Sequence, residues 1–234
     1  MTGEMELDAR EHIDIELRNL EEKLLKLGRL AVDALSRSVV ALKEQDVLKA
    51  REVIEGDAIL DELAEDIDMS CLKFMARFQP LGQDLRIVSA IMHMAVDLER
   101  IGDYGTSIAK RATKLSDRPH IKPLLDIPRM EADIRKMVNL ALEALMEKDI
   151  KKAEEVCRLD DEVDDLDRQI FHELLLIMME RPRVIEQATE LLLISRTLER
   201  AGDHATNLAE RVIYLVTGKK VSASQIRRPK EDKD

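Results

Sequence analysis

One stretch of the sequence occurs twice: residues 41–67 read ALKEQDVLKAREVIEGDAILDELAEDI, and residues 144–170 read ALMEKDIKKAEEVCRLDDEVDDLDRQI. Twelve of these 27 positions are identical, at a constant offset of 103 residues. A second pair, LERIGDYGTSIAKR at 98–111 and LERAGDHATNLAER at 198–211, shares eight of 14 positions at an offset of 100. Because insertions belong in turns, the difference of three residues predicts a turn between the two repeated segments. The pattern indicates two copies of one structural unit.

The unit is predicted to be helical. Apolar residues of the repeated stretch recur at three-to-four spacings, for example Ile54, Leu60, Leu63 and Ile67, which is typical of an amphipathic helix. Prolines are confined to the ends of long proline-free stretches. We predict six long helices, at about 8–43, 46–78, 84–115, 128–147, 149–181 and 184–217. Helices of this length joined by short turns pack as an elongated bundle.

The predicted fold class is therefore all-α, with two pseudo-symmetric three-helix bundles in one elongated unit. The first repeat is expected over residues 1–118 and the second over 119–218. Residues 219–234 are polar and carry mixed charge, and we expect them to form a flexible tail.

Composition excludes several classes of protein. The 234 residues include three Phe, two Tyr and no Trp, which disfavours a β-sandwich or barrel. A net charge of −11 argues against nucleic acid as a partner. The polar N-terminal sequence is no signal peptide, and no apolar run is long enough to span a membrane, so we expect a cytoplasmic protein without membrane insertion.

Paired acidic residues recur at matching places in both copies. The second helix of each copy carries an Asp pair, and the third helix carries a Glu and an Asp, always four residues apart: Asp57 and Asp61, Asp160 and Asp164, Glu99 and Asp103, Glu199 and Asp203. This spacing puts both carboxylates of a pair on one helix face, where like charges repel. Because sequential helices in such a bundle are antiparallel neighbours, two pairs could meet and form one four-carboxylate cluster per half. Oxygen ligands of this kind favour Mg²⁺, Mn²⁺, Ca²⁺ or iron.

Glycine interrupts the third-helix pairs at Gly102 and Gly202, which predicts close approach of a neighbouring helix. The pairs lie beside the apolar stripe, so we expect a groove at the bundle surface and not a buried site. A purely structural explanation stays open at this point, since acids in a chain with 36% charged residues commonly form a solvated face.

Enzyme motifs are absent from the sequence. It contains no GxxxxGK[ST], GxGxxG, HExxH or GxSxG, and none of its five His has a Glu three residues before it, as a ferritin-like di-iron site requires. Nucleotide hydrolysis, hydride transfer and Ser or Zn proteolysis therefore have no motif support. A metal-binding helical scaffold or store without a signalling role remains an alternative, as does a helical adaptor without metal.

The words LERIGD and LERAGDHATNLAERVIYLVTG, together with VIEGD in the second helix, resemble the PhoU family of phosphate-uptake regulators. The resemblance extends over both repeats. It implies an all-α pair of three-helix bundles that binds metal, including multinuclear iron clusters in some members, through E/D-x-x-x-D carboxylates. The implied first-choice ligands are Glu99, Asp103, Glu199 and Asp203, with Asp57, Asp61, Asp160 and Asp164 as their second-helix partners.

The same resemblance implies a cytosolic negative regulator of phosphate uptake and phosphate-starvation signalling that is not an enzyme. The implied partners are the ATPase of a phosphate ABC transporter, a sensor histidine kinase and a second copy of the chain in a homodimer. The implied cofactors are divalent or trivalent metal ions, iron first, with Mn, Mg, Zn or Ca as further candidates. The two copies differ, because Tyr104 and Ser107 correspond to His204 and Asn207. His204 is interpreted either as a surface residue or as a nitrogen ligand to the metal.

Overall fold

The computed structural model of the chain describes the backbone of residues 2–226 and the side chains of residues 10–226. This part of the chain contains helices and no strand. In chain order the helices are α1 (Thr2–Glu44), α2 (Val47–Phe78), α3 (Gly82–Leu115), α4 (Asp126–Glu147), α5 (Ile150–Glu180), α6 (Ile185–Thr217) and the short α7 (Ala223–Ile226). The prediction of an all-α fold with six long helices is confirmed.

The two halves start their second helix in the same way. Asp46 caps α2 by accepting a hydrogen bond from the backbone N–H of Lys49, and Asp149 caps α5 by accepting from Lys151 and Lys152. The residue before each cap, Gln45 or Lys148, has a positive φ that reverses the chain. Because a capping Asp satisfies N–H groups that the helix leaves unpaired, the repeated D at these positions determines where both helices begin.

Several helix starts differ from the prediction: α1 begins at Thr2 and not at about residue 8, α3 begins at Gly82 and not at 84, and two more differ next to proline residues. Helix α4 begins at Asp126, two residues before the predicted start at Pro128. Proline is tolerated at this place because the N–H groups in the first turn of a helix have no partner within the helix, so the missing N–H costs no hydrogen bond. Helix α6 is preceded by a 3-10 turn over Pro182–Val184 and begins at Ile185.

The helices of each half pack on one another, and the halves lie side by side. Helices α1, α2 and α3 are mutual neighbours, as are α4, α5 and α6. The halves meet where α3 packs against α6 and α1 against α4. One cluster of buried apolar residues runs through both halves. The division of the chain at residue 118 therefore stays a prediction, since the two repeats share a core.

The segment predicted as a flexible tail begins with ordered structure. Helix α7 packs against α5 and α6, and Ala223 is buried. The backbone N–H of Ala223 donates to the Glu210 carboxylate at 2.6 Å. Residues 227–234, which belong to the same predicted tail, lie outside the described residues.

None of the helices in the described part of the chain combines the length and the apolar composition that a bilayer crossing needs.

Candidate metal centre

Three of the four predicted acids of the first half meet between α2 and α3. Carboxylate oxygens of Asp57, Asp61 and Asp103 all lie within 4.8 Å of one another. Glu99 lies one helical turn before Asp103 and outside this close set, although all three of these carboxylates help to raise the pKa of Glu99. The predicted convergence of the second-helix and third-helix pairs is thus confirmed in this half for Asp57, Asp61 and Asp103.

Glycine permits this convergence. A Cβ atom on Gly102, in the middle of the α3 pair, would collide with the Leu60 side chain of α2. The absence of that atom lets the two helices approach closely enough for carboxylates from both to meet. Thr106, one turn further along α3, donates its hydroxyl hydrogen to Asp57 Oδ1 at 2.9 Å and orients that carboxylate.

The first cluster has more negative charge than its protein surroundings neutralise. Loss of solvent, and then the neighbouring Asp57 and Asp103, raise the pKa of Asp61. The pKa of Glu99 is raised by desolvation first and by Asp103 next. Arg100 offsets part of this charge, with its Nη1 3.0 Å from Asp103 Oδ2.

The second half has the same four acids in a different arrangement. Asp160 of α5 is fully buried, which makes the prediction of a surface groove wrong at this position. A Cβ atom on Gly202 would lie 2.9 Å from Asp160 Oδ1, so α6 covers this carboxylate. Asp164 and Glu199 are half-buried and Asp203 is exposed. Desolvation is the largest cause that raises the pKa of both Glu199 and Asp203.

A fifth acid changes the second half. Asp167 is buried, accepts a hydrogen bond from the Ser195 hydroxyl at 2.8 Å, and contacts Arg196 Nη1 at 2.7 Å. The first half has Ala64, Ala95 and Val96 at the three equivalent positions. The second half thus contains an additional ion pair, between Asp167 and Arg196, that the first half lacks. In the part of the chain with described side chains, no second set of three Asp, Glu, His or Cys residues comes as close as the set in the first half.

A polar contact joins the two halves that was not predicted from the sequence. His204 of α6 lies with Nδ1 2.8 Å from Asp97 Oδ1 of α3, and its Nε2 is 3.3 Å from the Tyr104 hydroxyl. Asn207 donates to the same Asp97 oxygen at 3.2 Å. His204 is therefore neither a simple surface residue nor a member of the acidic cluster. The signal in the sequence was the set of unlike pairs at equivalent positions, 97 with 197, 104 with 204 and 107 with 207.

The donor set of the first cluster suits a hard cation. It offers carboxylate oxygens only, and Mg²⁺, Ca²⁺, Mn²⁺ and iron accept such ligands. The raised pKa values of Asp61 and Glu99 reflect repulsion and desolvation that a bound cation would offset. Residues Asp57, Asp61, Glu99 and Asp103 thus fit a metal ion.

Comparison with known proteins identifies the family. The family model described as PhoU domain matches twice, at residues 24–112 and 127–212, once in each half. The chain belongs to the PhoU family. The resemblance in the LERIGD and LERAGDHATNLAER words, and the two-repeat architecture of PhoU that it implied, are confirmed.

Relatives match along nearly their whole length. The phosphate-specific transport system accessory protein PhoU homolog of Clostridium acetobutylicum is 36% identical, over 91% of this chain and 98% of its own. The homologue from Aquifex aeolicus is 37% identical, over 92% and 98%.

Two solved PhoU structures share the fold. The crystal structure of PhoU from Pseudomonas aeruginosa is 35% identical, with a TM-score of 0.84 over 88% of this chain and 99% of the other. The crystal structure of the phosphate transport system regulatory protein PhoU from Streptococcus pneumoniae is 30% identical, with the same TM-score over 90% and 99%.

Proposed function

We propose that this chain is a metal-binding negative regulator of phosphate uptake and of phosphate-starvation signalling in the cytoplasm. One observation carries the phosphate role: both halves match the PhoU domain, and relatives aligned over nearly their whole length are named phosphate-transport accessory proteins. The proposed partners are the ATPase of a phosphate ABC transporter and a sensor histidine kinase. A homodimer is the proposed working form, and the proposed activity is regulatory and not enzymatic.

The convergence of Asp57, Asp61 and Asp103 supports the metal-binding part of the proposal. These three carboxylates and Glu99 would hold the ion, which supplies positive charge to an otherwise repulsive cluster. Asp160, Asp164, Glu199 and Asp203 are the proposed ligands of the second half. Iron is the first candidate, and Mn, Mg, Zn and Ca are the others.

In this proposal the four acids of the first half, with their ion bound, keep the surface that contacts the partner proteins in one conformation. With its charge offset, the cluster would no longer push α2 away from α3, so the outer faces of these helices would stay in a fixed relation. A ligand that regulates must bind two states with different affinity. Phosphate is the ligand we propose to test first for that role.

The regulatory part is tested in phosphate-replete cells that lack the gene and carry a reporter of phosphate starvation. We expect the reporter to be active in these cells and silenced again by the wild-type chain. The variant with Asp57→Asn, Asp61→Asn and Asp103→Asn should silence it less. An unchanged reporter in the deletion strain would contradict the proposed function.

A capture experiment separates the regulator from the alternative of a metal-binding scaffold or store. The immobilised full chain, loaded with Mn²⁺, is offered the purified transporter ATPase or the purified kinase. The regulator should retain both proteins above a control surface. Metal binding by the chain with retention of neither protein would favour the scaffold.

A further inference from the structure

A groove of about 760 Å³ lies on the outer side of the first half, between α1 and α2. On α1 its lining runs from Glu16 to Arg29, and on α2 it runs from Ser70 to Phe78. The α2 lining starts nine residues after Asp61, which corresponds to ~13 Å along the helix. The groove is therefore separate from the acidic cluster, and the proposed function makes no use of it.

The groove has an apolar floor. Leu20 of α1 and Phe74 of α2 are buried there, and Leu25 and Phe78 are half-buried. The lining residues of α2 follow the spacing of one helix face, at positions 70, 73, 74, 77 and 78. Two nearly continuous helix faces with apolar residues between them form a seat for a third helix.

The rim of the groove is basic although the chain as a whole is acidic. Its lining includes five cations and two acids: Lys23, Lys26, Arg29, Lys73, Arg77, Glu16 and Glu22. Lys23 is paired with Asp66 at 2.7 Å. Lys26, Arg29 and Lys73 are exposed and form no ion pair with any described residue. In a chain of net charge −11, such a group of cations selects an acidic partner.

The shape favours a helix over a small organic anion. The α1 lining covers 13 residue steps, or about 20 Å, which matches a helix of similar length. Base stacking, which a nucleotide would use, is not available at Phe78, because the Arg77 guanidinium lies over that ring, 5.0 Å from its centroid. We propose that this groove is a docking site for an acidic amphipathic helix of a partner protein, with its apolar face toward the groove floor and its acidic side chains toward Lys26, Arg29 and Lys73.

The test uses the full chain and a fluorescent helical peptide of about 14 residues, with Leu at every third or fourth position and Glu elsewhere. A second peptide carries Lys in place of Glu. We expect the acidic peptide to bind, with an affinity that falls as NaCl is added, and the basic peptide to bind at least about tenfold more weakly.

Charge reversal locates the binding. The groove variant carries Lys26→Glu, Arg29→Glu and Lys73→Glu. A control with the same change in total charge carries Lys43→Glu, Lys110→Glu and Lys151→Glu at exposed positions outside the groove. The groove variant should lose about tenfold in affinity and the control less than about twofold. Circular dichroism spectra of both variants should match the wild type, which separates lost docking from lost folding.

Four results would overturn the proposal. The first is equal binding of the acidic and basic peptides, and the second is an equal loss of affinity in both variants. The third is a wild-type dimer in sedimentation velocity that becomes monomeric only in the groove variant, because a second copy would then occupy the groove. ATP that displaces the peptide without binding elsewhere would point to a small anion as the occupant, against the helix.

Discussion

Gly105 of α3 lies directly against the backbone of Ala34 in α1. A Cβ atom on Gly105 would be 2.8 Å from the carbonyl carbon of Ala34 and 2.8 Å from the backbone nitrogen of Leu35. Backbone atoms in the middle of a helix cannot move aside alone, so any side chain at 105 must push α1 away from α3. The equivalent residue in the second half is Ala205, which already carries a methyl group.

Gly105→Ala should therefore destabilise the protein, although alanine is the better helix former. We expect a loss of about 2 kcal/mol in the free energy of unfolding, measured in urea, from overpacking. Gly56→Ala is the matched control, since nothing lies within 4 Å of a Cβ atom there. That variant should gain up to about 1 kcal/mol from helix propensity. Equal effects of the two substitutions would refute this account of the α1–α3 contact.

Metal binding should differ between the halves. We expect Mn²⁺ to raise the melting temperature of chelator-treated protein, because an ion that binds only the folded state stabilises it by about 2.7 kcal/mol at one hundred times its Kd. Asp61→Asn with Asp103→Asn should remove most of this increase. The equivalent pair, Asp164→Asn with Asp203→Asn, should remove less of it, because no set of three carboxylates among the described residues of the second half comes as close as Asp57, Asp61 and Asp103 do.

The melting temperatures of the wild type and the two double variants are measured by calorimetry in EDTA and in Mn²⁺. A larger loss in the second-half variant would contradict the assignment of the tighter site to Asp57, Asp61 and Asp103. If Mn²⁺, Fe²⁺ and Mg²⁺ all leave the melting temperature of the wild type unchanged, the proposal that this protein binds metal is contradicted.

Glu99→Gln should change stability with a sign that depends on metal. The pKa of Glu99 is raised in the folded chain, so the folded state holds the proton more tightly than the unfolded chain does. The ionised carboxylate therefore lowers the free energy of unfolding at pH values above its raised pKa. This penalty disappears as the pH falls below the ordinary value of 4.5.

In EDTA at about pH 7, Glu99→Gln should thus raise the melting temperature, and at about pH 4 the gain should shrink. With saturating Mn²⁺ the same substitution should lower the melting temperature, since one ligand is lost. Glu65→Gln, at an exposed position of α2, removes the same charge and should have little effect in any of these conditions. A gain from Glu99→Gln that persists in Mn²⁺ would argue against Glu99 as a ligand.

Asp97 should be important for the contact between the halves. Its Oδ1 accepts a hydrogen bond from Asn207 Nδ2 of α6 at 3.2 Å and lies 2.8 Å from Nδ1 of His204, which is also on α6. Asp97→Ala leaves these groups of α6 without their acceptor, and we expect a loss of about 2 kcal/mol in urea unfolding. Thr197→Ala at the equivalent position should cost less, because among the described residues the Thr197 hydroxyl donates a hydrogen bond only to Leu193 O of its own helix. Similar losses in both variants would contradict a role specific to Asp97.

Cys71 should be inert in the folded protein. It is fully buried on α2, and desolvation raises the pKa of its thiol to about 12. Because the thiolate is the reactive form, a disulfide reagent at about pH 8 should leave Cys71 unmodified in native protein and react with it in urea. Peptide mapping of the labelled protein checks this. Labelling of Cys71 without denaturant, at a rate like that of a small thiol, would mean that α2 opens locally.

Much of the fold could be predicted because helix formation is local. The repeated apolar spacing indicated amphipathic helices, and the Asp46 and Asp149 caps lie where the sequence alignment pairs them. The start of α4 was less predictable, because proline in a first turn is compatible with several starting points. The four acids of the first half were predicted to converge, and Asp57, Asp61 and Asp103 do so, because α2 and α3 are sequential neighbours that pack on each other.

The burial of Asp160, its contact with Gly202, and the Asp97–His204 contact could not be predicted from spacing. Each depends on how far one helix is rotated and shifted against another, and packing of residues distant in sequence decides that. The sequence by itself determined the all-α fold, the two repeats, the family and the identity of the acidic pairs, because periodicity, caps and motifs are properties of contiguous residues. Only the tertiary structure decided which carboxylates come closest, which one is buried and which side chains of α3 and α6 contact each other. Contacts between helices depend on axial register, and side chains tens of residues apart determine that register together.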